Sequence, residues 1–96
     1  MERKYWNLEK ELKTKTVKEL AVKMFNYYKG NIKELFGLVQ SVTWQAIKWD
    51  DVYKEYREDF LANYPYAEFG LKKAERKTLI YRELHKELSN LISNNL

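Results

Sequence analysis

The chain has 96 residues, 45% hydrophobic and 16% aromatic, which suits one domain with one modest core. It contains no cysteine, which excludes zinc-thiolate sites, disulfide scaffolds and thiol nucleophiles. The net charge is +4, unevenly spread: residues 1–29 carry +4, 30–50 are neutral, 51–70 carry −3 and 71–96 carry +3.

Three glycines and one proline are few helix breakers, and no alternating strand pattern flanked by turns occurs. The whole chain, 1–96, therefore reads as a single helical domain. The charged start MERKYWNLEKELK has no apolar centre and does not read as a secretory leader. No run of about 18 apolar residues could cross a membrane. The expectation is a soluble cytoplasmic protein with no membrane partner.

The spacing of Tyr5, Leu8 and Leu12 predicts a first helix over Glu2–Lys13. Thr16 and Glu19 form a capping box that opens a second helix, with Val17, Leu20, Ala21, Met24 and Phe25 on one face as far as Tyr28. Lys29 and Gly30 end it, and Asn31 caps a third helix carrying Ile32, Leu35, Phe36 and Val39. QSVT reads as the next break, followed by a long helix from Val42 to Ala62. Its stripe is Val42, Ala46, Trp49, Val52, Tyr53, Tyr56 and Phe60. NYPY stops that helix, because Pro65 disfavours helix at Tyr64. A last helix runs from about Leu71 to Ile92, with a short turn at Pro65 as its earliest start. Short connections make neighbouring helices pack together. The expected fold is all-α, a compact bundle of four to five helices with a helix-turn-helix-like unit at residues 17–62. Phe25, Phe36, Trp49, Tyr56, Phe60 and Leu84 are the expected core.

Catalysis has little to work with. His85 is the only histidine, and Gly30, Gly37 and Gly70 are too scattered for a phosphate loop. Ser41, Ser89 and Ser93 do not sit in Gly-flanked nucleophile turns. Asp51, Glu55, Glu58 and Asp59 fall on one helix face, where a cation site is conceivable but a solvated acidic face is the plainer reading. The expectation is a non-enzyme with no cofactor and no metal.

Two binding readings remain. In the first, Trp44 and Ile47 lie on the outer face of the helix opposite its core stripe, continued by Asp51 and Glu55. Aromatic anchors with a charged rim fit a protein partner. The plainer alternative is that the first or last helix covers Trp44 and Ile47. In the second, Ser41, Thr43, Gln45 and Lys48 are the contacts of a DNA-reading helix after the QSVT turn. Lys72, Lys73, Arg76 and Lys77 then add phosphate contacts near a helix N-terminus. The carboxylates at 51, 55 and 58 would repel phosphate, which favours the protein reading. Tyr64 and Tyr66 beside Pro65 are further surface aromatics. The Lys- and Asn-rich composition, small size and aromatic density have the character of a phage or mobile-element accessory protein, which would inhibit a host factor by covering one of its surfaces. The leading expectation is thus a small binding protein docking on a macromolecular partner, with homo-oligomers open. The alternative is a helix-turn-helix transcription regulator.

Overall fold

A computed structural model describes residues 6–95. Among them are four helices and no strand: α1 (Leu8–Glu11), α2 (Val17–Tyr28), α3 (Ile32–Leu61) and α4 (Ala67–Asn95). No helix among the described residues is long and apolar enough to cross a membrane.

Local sequence chemistry sets most of the ends. Asn7 caps α1 by accepting from the Lys10 amide at 3.2 Å. The capping box at α2 forms as its residues require. The Glu19 amide donates to Thr16 Oγ1 at 3.1 Å, and the Thr16 amide donates to Glu19 Oε1 at 3.2 Å. Asn31 caps α3 by accepting from the Glu34 amide at 3.2 Å. At the far end of α3, Asn63 takes φ 66°, the left-handed cap that asparagine tolerates better than most residues. The Asn63 amide then donates to Phe60 O at 3.0 Å and the Tyr64 amide to Asp59 O at 3.2 Å, satisfying two of the last carbonyls.

The first helix is shorter than expected. Residues 1–5 lie outside the described residues, so the Tyr5 position of that stripe does too. Within the described part only one turn is helical. The Asn7 cap marks the start of this turn, and Thr14 turns its hydroxyl back onto Glu11 O at 3.4 Å before the α2 cap begins.

The break expected at QSVT is absent. Residues 32–61 form one uninterrupted helix of 30 residues, about 45 Å long. Ser41 and Val42 sit in its interior, and the Thr43 hydroxyl donates to Val39 O at 2.9 Å, inside the helix. The reason lies in the phase of the apolar stripe. Leu35, Leu38, Val42, Ala46, Trp49, Tyr53 and Tyr56 keep helical spacing straight through the site. Without a glycine or proline there, nothing makes a turn cheaper than continuing. The helix-turn-helix-like unit at 17–62 is therefore replaced by a helix, a tight turn at Lys29–Gly30, and one long helix.

α3 and α4, with 30 and 29 residues, form a long antiparallel hairpin, and α2 packs mainly on α4. Twelve residues of α2 span only about 18 Å, so a three-helix core exists at one end alone. Leu20, Ala21, Met24, Phe25, Tyr28, Leu35, Val42, Leu84 and Leu88 form it. The rest of the hairpin extends beyond it, and the molecule measures 50 × 25 × 24 Å. In that part α4 presents Ala67, Gly70, Ala74 and Thr78, all buried, against the half-buried Trp49, Tyr53 and Tyr56 of α3. Small residues on one helix let the aromatic side chains of the other lie against its backbone.

This geometry corrects part of the expected core. Phe25 and Leu84 are buried and Trp49 and Tyr56 half-buried, but Phe36 and Phe60 are exposed. Phe36, one position round the helix from Leu35, lies outside the core cluster. Phe60 is on the core side of α3, but lies near the hairpin tip, beyond the reach of α2. Ala67, not Leu71, begins α4.

Candidate functional site

α3 is covered along one side only. Counting 100° per residue, its buried and half-buried positions centre on Leu35, Val42 and Trp49, and the opposite side is open. Trp44 lies on that open side with 66% of its surface exposed, and Ile47 with 52%. Asp51 and Glu55, one and two turns further on, are exposed as well. The four residues thus share one surface, and neither α1 nor α4 covers it. Phe36, 51% exposed, lies on the same side two turns before Trp44. Sequence reading missed it by assigning it to the core. The signal available was its angular offset from Leu35, which places it nearer to Gln40 and Ile47 than to Val42.

The acidic group does not converge. Asp51, Glu55 and Glu58 line the outer side of α3, whereas Asp59 turns toward the hairpin loop and accepts from Tyr66 Oη at 3.1 Å. That hydrogen bond, helped by the carboxylate charge, holds the Tyr66 phenol above its ordinary pKa. No group of three or more His, Cys, Asp or Glu among the described residues is placed to hold a metal ion.

The residues proposed for DNA reading do not form one surface. Ser41 and Gln45 face a cleft on one flank of α3, and Thr43 lies on the other flank with its hydroxyl committed to Val39 O. Lys48 is exposed. The basic group on α4 is partly neutralised. Lys72 pairs with Glu68 at 3.3 Å, and Lys77 pairs with Glu9 at 3.2 Å. Lys73 and Arg76 remain exposed beside them.

The N-terminal segment is tied across the bundle by charge and by aromatic packing. Glu9 reaches α4 through Lys77, whose hydrogen bond and charge hold the carboxyl below its usual range. Glu11 accepts from Lys23 of α2 at 3.0 Å and pairs with Lys15 at 3.0 Å, and these cations, Lys15 foremost, lower its pKa too. Trp6 Nε1 donates to Tyr28 Oη at 3.1 Å, and the Trp6 ring meets Tyr27 edge-on with centroids 5.6 Å apart. Between this segment, α2, α3 and α4 lies a cleft of about 810 Å³ with Tyr28, Gly37, Ser41, Gln45 and Tyr81 among its walls.

A second exposed apolar group was not foreseen as a unit. At the hairpin tip Phe60, Leu61, Tyr64, Tyr66 and Phe69 are all exposed, Phe69 by 80%. The Tyr64 and Tyr66 rings stack at 5.8 Å on either side of Pro65. Only the mismatch between a 12-residue α2 and its 30-residue neighbour leaves these side chains uncovered, and that mismatch depends on α3 being continuous.

No family model, curated protein or solved structure matches this chain.

Proposed function

We infer that this protein is a non-catalytic docking module that binds another polypeptide through the outer face of α3. Trp44 and Ile47 are the anchors, Phe36 extends the apolar strip, and Asp51 and Glu55 form its rim. The observation that carries the reading is the exposure of Trp44, 66%, beside Ile47 on a helix face that no other described element covers. Large aromatics that fill partner pockets dominate binding energy far beyond their number, and charged neighbours steer association. The carboxylates that continue the strip disfavour nucleic acid on the same face. For a phage-like accessory protein in the cytoplasm, the action would be inhibition by occlusion of a host-factor surface.

A photo-crosslinking amino acid in place of Gln40 or of Lys48, which flank Trp44, tests this reading. In a nuclease-treated lysate to which the protein is added, the adduct should be polypeptide, and Trp44→Ala should remove it. Crosslinking to nucleic acid before nuclease treatment, or no adduct from either position, rejects the reading.

A further inference from the structure

We propose that the occupant of the outer face of α3 is a second copy of this chain, docked antiparallel about a two-fold axis; this rests on the reading of that face as a protein-docking surface. The support is the placement of charge along the helix. The exposed outer positions, within an arc of about 100°, run from Lys33 through Phe36, Gly37, Gln40, Trp44, Ile47, Asp51, Lys54 and Glu55 to Glu58. Like any one face of a helix, this strip can register on an antiparallel copy of itself, here about a midpoint between Gln45 and Ala46. An identical helix laid antiparallel over this midpoint brings Lys33 against Glu58, Gln40 against Asp51, and Trp44 against Ile47. Phe36 then lies over the methylenes of Glu55. Each contact occurs twice, as an isologous interface requires.

Charge selects this orientation over the parallel one. Lys33 is the one charged residue in the first half of the strip, and its three carboxylates, Asp51, Glu55 and Glu58, are in the second half beside Lys54, which Asp50 holds at 3.2 Å. Antiparallel docking places each acidic half over the half that holds Lys33 and Gln40. Parallel docking would stack each carboxylate on its own copy, and like charges placed opposite each other destabilise a helix pair. The helix dipoles also oppose each other favourably only in the antiparallel arrangement. Among the described residues Lys33 and Glu58 have no ion-pair partner inside the chain, so both are available across the axis. Trp44 and Ile47 from both copies form a small apolar centre with charged ends, the anatomy of a modest interface. One helix face per copy makes a reversible dimer, not an obligate one. The hairpin tips, with Phe69 and Leu61, point to opposite ends of the dimer and stay exposed.

Sedimentation equilibrium of the full chain, from micromolar to millimolar concentration, measures this directly. The parent should reach twice the chain mass reversibly. Lys33→Glu alone and Glu58→Lys alone each set two like-charged pairs facing each other and should weaken the dimer about tenfold. Mixing the two variants should restore the parent affinity, because each copy then meets the opposite charge. Trp44→Ala should weaken it roughly a hundredfold. At concentrations where the parent is monomeric, circular dichroism and melting should match the parent in all variants, since these side chains are exposed. A parent that stays monomeric throughout overturns the inference. If the crosslinks from position 40 or 48 then still report another polypeptide, the docking reading stands, and if they report none, both fail. A dimer indifferent to Trp44→Ala and to the charge reversals forms through another face and also overturns the inference.

Discussion

The ring of Tyr56 on α3 occupies the space that a side chain at Gly70 on α4 would need. A Cβ at Gly70 would lie 2.6 Å from Tyr56 Cδ1, far inside contact distance. Gly37, by contrast, has nothing within 4 Å of its absent Cβ. Both glycines are inside helices, where alanine is better by about 1 kcal/mol from propensity alone. The same substitution should therefore have opposite signs at the two sites. Gly37→Ala should raise the melting temperature. Gly70→Ala sets that gain against overpacking worth about 1–3 kcal/mol and should be net destabilising. In a Tyr56→Ala background the overlap is gone, and Gly70→Ala should become stabilising. Denaturant unfolding of the parent, the two single variants and the double closes the cycle, and a Gly70→Ala that stabilises even with Tyr56 present would show that the ring moves aside freely.

Trp44→Ala and Phe36→Ala should leave stability within about 1 kcal/mol of the parent, measured where the chain is monomeric. Leu84→Ala, from a fully buried side chain, should cost about 2–5 kcal/mol. Chemical denaturation at low protein concentration separates the two groups. Loss of folding on Trp44→Ala would mean that the outer face of α3 is core.

Thr78 Oγ1 is buried between α3 and α4 with no hydrogen-bond partner among the described residues. Thr78→Val keeps the shape and removes the unsatisfied hydroxyl. It should stabilise the hairpin by about 1 kcal/mol, despite a small loss of helix propensity. A lower melting temperature for Thr78→Val would show that the hydroxyl has a partner in solution.

Acid should loosen the N-terminal segment. Glu9 and Glu11 have carboxyl pKa values lowered in the folded state by Lys77 and by Lys15 with Lys23. A lowered folded pKa means stabilisation that is present above the ordinary value of 4.5 and is lost as pH falls through the folded pKa. The melting temperature of the parent should thus drop on acidification more than that of a Glu9→Gln/Glu11→Gln variant. The difference should shrink in high salt, because both carboxylates are solvent-accessible. Equal acid sensitivity of the two proteins would remove these pairs as a source of stability.

The all-helical class, the α2 boundaries, the Thr16–Glu19 capping box, the Asn31 cap and the stop before Pro65 could all be read from residue types at short spacing. Each depends on interactions within a few residues, where side-chain chemistry decides the backbone geometry. Periodicity also placed Trp44 and Ile47 on the side of the helix opposite its core stripe. Whether that side is open depended on contacts far apart in sequence. α2 is too short to wrap the hairpin, and the described part of the N-terminal segment lies on α2 and α4, so no described element covers it. The same length mismatch exposes Phe60 near the tip. The continuity of α3 through QSVT was a competition between Ser and Thr as caps and an unbroken apolar stripe facing α4. Local signals allowed either outcome, and burial along the whole hairpin favoured the helix. Gly70 shows the limit most sharply: in sequence it is one more helix breaker, and only the position of Tyr56 on the facing helix gives it a structural reason to be glycine.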